Sequence, residues 1–208
     1  MKRTVSSLVI ALSLIVAPLC ASDWAGIINK VEQSILWVNI DGEGGCTAFI
    51  INQEKHYLLT AAHCYAGSKG GVIWADSIPT RVIALDLKKD LLVLEAKDID
   101  PTRPALKLAA KNPERGEEVM SVGYGFALER PFFRQAHVQD DQLMIPEGGV
   151  GGPFISTDSP FVGGQSGGPV VNHAGEIVAI VQRGDGGSTG LGTGAELIRA
   201  RVGRFFGK

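Results

Sequence analysis

Short apolar runs separated by glycine and turn residues recur along most of the chain. The runs are rich in β-branched side chains and are bounded by Gly, Pro, Asn, Asp or Ser, which is typical of strands. This pattern predicts an all-β protein, a barrel or a sandwich, with helices only at 24–33 and 195–206. The predicted strands are 35–40, 48–51, 57–60, 72–74, 82–85, 91–95, 119–122 and 177–181.

The first 21 residues have a different pattern from the rest. A positive start at Lys2 precedes an apolar run at 8–17, which Pro18 ends. A run of this length is too short for a membrane span, which needs about 20 apolar residues. It predicts a signal peptide at 1–21 that is removed after Ala21.

Cys20 offers a second interpretation of the same segment, because a lipid can be attached to a cysteine at such a boundary. The residue before a lipid-bearing cysteine is normally small, and here it is Leu19. Cleavage by an ordinary signal peptidase is therefore preferred. Both interpretations predict an exported protein, either periplasmic or secreted.

Removal of the leader leaves 208 − 21 = 187 residues, enough for one compact unit of two lobes. Prolines cluster around a crossing near 110–116, which divides the unit into lobes at about 22–112 and 113–208. The net charge of −2 and the lack of a basic run argue against a nucleic-acid-binding surface. The sequence leaves the oligomeric state open.

Two cysteines, Cys46 and Cys64, remain after export. In an oxidising compartment, two cysteines on neighbouring strands are more often paired than free. The loop between them spans 64 − 46 = 18 positions, so a disulfide would contribute about 3 kcal/mol to stability. It would also clamp the segment that carries His63.

The glycine-rich segment 163–168 surrounds a single hydroxyl, that of Ser166. Glycines let the backbone approach a bound group closely, and the amides of Gly164 and Ser166 could form an oxyanion hole there. The alternative is a tight glycine turn around a buried serine. A serine nucleophile needs a base and an orienting acid from elsewhere in the chain.

His63 is the candidate base, because it follows the strand 57–60 and two small residues that leave space around its ring. A lone histidine after a strand is often only a satisfied polar residue, but a disulfide at the next position would fix this one. The other histidines lie in polar turns or lack such a setting, and we expect them to be solvated. They are His56, His137 and His173.

Asp90 is the candidate acid, because it stands immediately before the apolar strand 91–95. From that position a carboxylate can turn inward and accept a hydrogen bond from Nδ1 of His63. Asp86 and Asp76 are competitors. Asp86 lies in a basic turn, where a solvated carboxylate is expected, so Asp90 is preferred.

The segments TAAHC at 60–64 and GQSGGP at 164–169 resemble the two signature segments of chymotrypsin-like serine proteases. The order histidine, aspartate, serine is also that of this clan. The resemblance implies two six-stranded β-barrels with the active site in the cleft between them, and helices at the termini.

Within this clan the chain is most similar to the HtrA/Deg branch over nearly all of residues 22–208. Five segments carry this similarity in order, and the second includes Asp90 at the catalytic position of the branch. They are 57–60, 82–94, 116–124, 155–161 and 172–181.

Several features depart from that branch. The pair Cys46 and Cys64 resembles the disulfide of secreted trypsin-like enzymes. Gln165 stands where those enzymes carry the aspartate that captures a new N-terminus, so we expect no activation of that kind. The sequence ends 208 − 166 = 42 residues after Ser166, and we therefore expect no PDZ domain. The loops at 123–126 and 138–152 also differ from the branch.

The resemblance places the floor of the primary specificity pocket near Pro160, with Phe161 and the strand that ends at Arg183 as walls. An acidic floor would select Lys or Arg, and the pattern places no acid there, although Asp158 is near in sequence. We therefore expect an uncharged, small-to-medium aliphatic residue at P1, the position before the scissile bond.

The main hypothesis is an exported endopeptidase that acts on proteins or peptides through Ser166, His63 and Asp90. The chemistry requires no cofactor, and the scattered cysteines and histidines lack zinc-site spacing. One alternative is a catalytically silent barrel that binds proteins through the same cleft. Another is an esterase, because acyl transfer to a hydroxyl is shared chemistry.

Overall fold

The computed structural model describes residues 24–40, 43–66, 71–126, 128–145, 152–184 and 187–207. The predicted signal peptide, its cleavage site and Cys20 lie outside these residues. Among the residues described, no helix combines the length and apolar character needed to cross a bilayer.

The first lobe is a curled antiparallel sheet that follows helix α1 (Trp24–Glu32). Its strand order is β5-β4-β1-β2-β3-β7-β6, and the short helix α2 (His63–Ala66) follows β3. The strands are β1 (Ile35–Ile40), β2 (Glu43–Asn52), β3 (Tyr57–Thr60), β4 (Ile73–Ala75), β5 (Ile78–Pro79), β6 (Arg81–Asp86) and β7 (Leu91–Glu95).

The second lobe is a closed barrel in the order β10-β13-β12-β11-β8-β9. Helix α3 (Ala195–Val202) and a 3₁₀ turn (Gly203–Phe205) follow its last strand. The strands are β8 (Glu118–Gly123), β9 (Phe132–Leu143), β10 (Phe154–Thr157), β11 (Pro169–Val171), β12 (Ile177–Gly184) and β13 (Gly190–Gly194).

A shared hydrophobic core joins the two lobes. Phe49 and Leu91 of the first lobe belong to the same buried cluster as Val122 and Ile180 of the second, and Ile198 of α3 completes it. All five side chains are fully buried. Burial of a side chain of this size contributes about 1.5–3 kcal/mol, so this cluster holds the two lobes against each other.

The architecture agrees with the prediction of an all-β protein with terminal helices. In the described residues the first sheet has seven strands, because the two-residue strand β5 adds to the expected six. Four strands of the second barrel, β9, β10, β11 and β13, are not among the predicted strands, and the barrel closes only with them.

Candidate active site

Both lobes hold the turn that carries Ser166. Thr47 of β2 donates its backbone amide to the carbonyl oxygen of Ser166 at 2.8 Å. On the other side, Gly167 and Gly168 exchange 2.8 Å hydrogen bonds with Val181 of β12. Ser166 is therefore fixed at the junction of the curled sheet and the closed barrel.

His63 and Asp90 form a two-point contact beside this turn. Nδ1 of His63 lies 2.7 Å from Oδ2 of Asp90, and the backbone amide of His63 donates to Oδ1 at 2.6 Å. The Asp90 side chain is 8% exposed and that of His63 is 46% exposed. Because both carboxylate oxygens bind one residue, the imidazole is held with its second nitrogen free to face the cleft.

Local structure explains how these two residues meet. His63 begins α2, directly after β3 and two buried alanines, and a disulfide joins Cys64 to Cys46 of β2 with an S–S distance of 2.07 Å. Cys64 thus lies in a helical turn rather than on a strand as expected. Asp90 ends the turn before β7 with a positive φ of 56°, an uncommon conformation that turns its side chain inward.

The two competing carboxylates lie elsewhere. Asp86 pairs with Arg201 of α3 at 2.6 Å, and Asp76 pairs with Arg103 at 2.7 Å. Burial raises the pKa of the Asp86 carboxyl. The hydrogen bond from Arg201 and backbone amides lower it by more, so the pKa lies below its ordinary value. Neither acid contacts His63.

The hydroxyl of Ser166 donates to the carbonyl oxygen of Gln182 at 3.2 Å. In the described part of the chain no hydrogen bond joins it to His63. Active-site hydrogen bonds of unliganded enzymes are often long and tighten when substrate binds.

The amides of Gly164 and Ser166 bind no acceptor among the described residues. Each belongs to a peptide whose carbonyl is engaged: Gly163 accepts from the amide of Phe126 at 3.1 Å, and Gln165 accepts from Gly168 at 2.8 Å. Because N–H and C=O point in opposite directions in a trans peptide, these bonds fix the directions of both amides. This arrangement could accommodate an oxyanion.

Gly164 requires glycine on two grounds. Its φ is +96°, and an added Cβ would lie 2.1 Å from the carbonyl oxygen of Tyr124. Any side chain here would displace the turn beside Ser166. The glycine-rich sequence is thus explained by close packing against the segment after β8.

Gln165 is fully buried and closes the same turn from inside. Its side-chain Oε1 accepts from the backbone amide of Val162 at 3.1 Å. Its backbone amide donates to the carbonyl oxygen of Val162, also at 3.1 Å. The carboxamide oxygen therefore finds its partner within the loop, and Nε2 donates to Oγ of Ser121 on β8 at 3.5 Å.

Sequence reasoning missed two buried polar residues that contact the site. Thr47 donates its hydroxyl to the carbonyl oxygen of Gly164 at 2.8 Å. Gln182 donates its carboxamide to the carbonyl oxygen of Lys89 at 3.0 Å and also contacts Thr193. The only sequence signal for Thr47 is its position next to Cys46.

The residues expected to form the specificity pocket lie around the start of the turn. Phe161 is 7% exposed, and a Cβ added at Gly190 would lie 2.8 Å from its ring. The carbonyl of Pro160 accepts from Arg134 at 2.9 Å. Arg183 is exposed and its guanidinium lies 5.2 Å from the ring centroid of Phe154.

Asp158, the acid nearest in sequence to the expected pocket, accepts from the backbone amide of His137 at 2.7 Å and lies 3.3 Å from its ring.

The expectation that all three remaining histidines are solvated is wrong for two of them. The ring of His173 lies 4.1 Å from that of Trp24 of α1, at a tilt of 39°, and Nε2 of His173 lies 3.1 Å from Glu118. Nδ1 of His56 is buried. Helix α1 covers His173, which its turn sequence does not reveal.

Cys46, Cys64 and His63 bring two sulfurs and a ring nitrogen within 4.8 Å of one another. Both sulfurs belong to the disulfide, and a thiolate is the form of cysteine that binds a metal. In the oxidised protein this cluster therefore offers a single ring nitrogen.

A closed barrel beside a curled sheet, with serine, histidine and aspartate at their junction, is the arrangement of a chymotrypsin-like protein. The family model for the trypsin-like peptidase domain matches residues 46–180. This match covers more than half of the chain, and the chain therefore belongs to the trypsin-like peptidase family.

Among curated relatives, the chain is similar to a protein of Pseudomonas fluorescens named "Probable periplasmic serine endoprotease DegP-like", with 31% identity over 140 residues. A protein of the same name from Hahella chejuensis is also 31% identical over 140 residues. Each alignment covers 64% of this chain and 28% of the relative, so the relatives are much longer than the matched region.

Solved structures confirm the two-lobed chymotrypsin-like fold. The active form of the Rv3671c protease from M. tuberculosis superposes with a TM-score of 0.74 at 20% identity, covering 98% of this chain and 92% of that one. The HtrA-type protease AlgW with a tripeptide gives a TM-score of 0.71 at 20% identity and covers 84% and 60%.

Proposed function

We propose that this chain is an exported serine endopeptidase that hydrolyses peptide bonds through an acyl-enzyme on Ser166. The observation that carries the proposal is the two-point contact between His63 and Asp90 beside two unengaged amides at Ser166. Membership of the trypsin-like peptidase family supports it.

In the proposed mechanism, Oγ of Ser166 attacks the scissile carbonyl and His63 accepts its proton. Asp90 holds the imidazole in the tautomer that has Nδ1 protonated and stabilises the imidazolium that forms. The amides of Gly164 and Ser166 bind the oxyanion. His63 then protonates the leaving amine, and water hydrolyses the ester by the reverse proton transfers.

An unpaired edge of β12 offers a place for the substrate backbone. Pairing of β12 with β11 ends at Ile180, whereas pairing with β13 continues to Gly184. Among the described residues, the segment from Gln182 to Gly184 therefore pairs with a strand on one side only. An extended peptide can add to such an edge through main-chain hydrogen bonds.

A small-to-medium aliphatic P1 residue fits the surroundings of Phe161. Its ring lies against the backbone of β13 at Gly190 and takes up space that a long side chain would need. The nearby carboxylate of Asp158 is held by His137, so it provides no counter-ion for Lys or Arg at P1. Together these contacts favour an uncharged residue of limited size.

Export to the periplasm or beyond the cell is supported by the sequence of residues 1–21, by the disulfide and by the names of the curated relatives. Disulfides persist in oxidising compartments and are rare in the cytosol.

The test is intact-mass analysis of the mature protein after treatment with a fluorophosphonate, together with cleavage of a denatured protein substrate. Ser166→Ala and His63→Ala serve as controls. We expect one adduct on Ser166 that requires His63, and cleavage that both substitutions abolish. An adduct without cleavage would indicate an esterase, and no adduct on folded protein would indicate a silent scaffold.

A further inference from the structure

We propose that a cleft beside the Gly163–Gly164 peptide binds a large apolar side chain, preferably aromatic, from the leaving-group half of the substrate. This inference rests on the proposed function, because it assigns part of the substrate to a second pocket. The cleft has a volume of about 670 Å³ and is separate from the surroundings of Phe161. Ligand pockets typically measure about 300–1,000 Å³.

The position of the cleft identifies which half of the substrate enters it. The P1 side chain belongs to the acyl half and, in the proposed function, lies near Phe161 beside β12. Residues after the scissile bond must then leave Ser166 on the opposite side. There Gly163 and Gly164 form one wall of the cleft, directly next to the proposed oxyanion site.

Three large side chains form the apolar surface of this cleft: Trp37, Tyr124 and Leu128. Trp37 is 38% exposed and Leu128 is 50% exposed, so both offer apolar surface to a ligand. A Cβ added at Gly45 would lie 2.9 Å from the indole nitrogen of Trp37, which shows that the indole lies across β2. Aromatic side chains pack well against one another and lose little freedom on binding.

The charges around the cleft favour apolar rather than ionic recognition. Asp76 lines it, but its carboxylate is occupied by Arg103 at 2.7 Å and by the backbone amide of Trp37 at 2.8 Å. Glu129 lies at the exposed rim, where solvent weakens its attraction for a basic residue. The selective contribution is therefore expected from the apolar walls.

Acyl transfer measures this pocket separately from P1. The protein is acylated with an N-blocked alanine p-nitrophenyl ester in the presence of an excess of a dipeptide amide. The amine nitrogen attacks the acyl carbonyl, the Ser166 oxygen leaves and is protonated, and His63 relays the proton lost by the amine. The ratio of peptide product to hydrolysed acid reports binding of the amine beside the acyl-enzyme.

We compare Phe-Gly amide, Gly-Phe amide and Gly-Gly amide at equal concentration. We expect the ratio of peptide product to hydrolysed acid to be about tenfold higher for one of the two phenylalanine nucleophiles than for Gly-Gly amide. A tenfold ratio corresponds to about 1.4 kcal/mol of apolar contact. Leu128→Ala and Trp37→Ala should each reduce that preference at least threefold. Leu85→Ala, which removes a leucine that is 42% exposed on β6, is the matched control and should leave the ratio unchanged.

The outcomes distinguish this inference from the proposed function. If the ester acylates Ser166 but neither phenylalanine nucleophile exceeds Gly-Gly amide twofold, the pocket assignment is wrong and the proposed chemistry remains. A preference that persists in both variants would also overturn the assignment, because it would arise elsewhere. Failure of acylation in folded protein would overturn both.

Discussion

The hydroxyl of Thr47 bridges the two lobes at the active site, because it donates to the carbonyl oxygen of Gly164 at 2.8 Å and accepts from the amide of Tyr124 at 2.9 Å. Thr47 is fully buried on β2. Its backbone amide also binds the carbonyl of Ser166, so one residue contacts both proposed oxyanion-binding positions from behind.

Replacement of Thr47 by valine should lower kcat by about tenfold to a hundredfold, because small displacements of catalytic groups are costly. Valine keeps the shape of threonine but leaves the Gly164 carbonyl and the Tyr124 amide without their partner. Thr47→Ser retains the hydroxyl and should recover most of the activity. The measurement is kcat on an ester substrate, and KM is determined alongside it. Equal kcat for the valine and serine variants would refute a positioning role for the hydroxyl.

Phe126 should act through its backbone rather than its ring. Its φ is +57°, the residue is 66% exposed, and its backbone amide donates to the Gly163 carbonyl. Phe126→Pro removes that amide and cannot adopt this φ, so we expect roughly a hundredfold loss in the rate of fluorophosphonate labelling. Phe126→Gly keeps the amide and suits the positive φ, and it should label within about threefold of the parent. A large loss in the glycine variant would assign the effect to the ring.

The parts of the fold that the sequence predicts are those in which local pattern and burial coincide. Strands such as β7, with its nearly uninterrupted buried residues, are evident as apolar runs. In strand β9, charged and polar residues interrupt the apolar ones, and β13 has the sequence GLGTG. Neither strand therefore has a β-branched apolar run. They form because neighbouring strands supply their pairing.

The same distinction applies to the site. Ser166, His63 and Asp90 are predicted from short segments whose chemistry is local. The contact of Thr47 with Gly164 joins residues 117 positions apart, and no local pattern encodes it. The pairing of Asp86 with Arg201 across 115 positions is hidden for the same reason.

Asp90 and Asp86 offer a matched pair of substitutions for the proposed acid. Asp90→Asn should lower kcat by about 10⁴, because an amide in its place favours the wrong tautomer of His63. Asp86→Asn removes a nearby carboxylate that contacts Arg201 and should leave kcat within about threefold at neutral pH. Ester hydrolysis of both purified variants at the same pH decides between them. Comparable losses of kcat in the two variants would show that activity depends on negative charge near β7 rather than on the contact with His63.

The disulfide between Cys46 and Cys64 should contribute about 3 kcal/mol to the free energy of unfolding, as expected for the closure of an 18-position loop. The double variant Cys46→Ala/Cys64→Ala is expected to have a free energy of unfolding lower by that amount, and therefore a lower urea midpoint. Dithiothreitol should destabilise the parent similarly and should have no effect on the double variant. If reduction leaves the urea midpoint of the parent unchanged, the disulfide has no role in stability.

The ion pair between Asp86 and Arg201 should make stability depend on pH in the acid range. The pKa of Asp86 is lowered in the folded protein, so its contribution is complete above about pH 5 and is lost as the pH falls through the folded-state pKa. Because both side chains are partly exposed, at 18% and 46%, we expect about 1 kcal/mol at neutral pH. Urea unfolding of the parent and of Asp86→Asn at pH 7 and pH 3 measures it. The difference between the two proteins should shrink at pH 3, and a difference that stays constant would show that Asp86 acts through packing rather than charge.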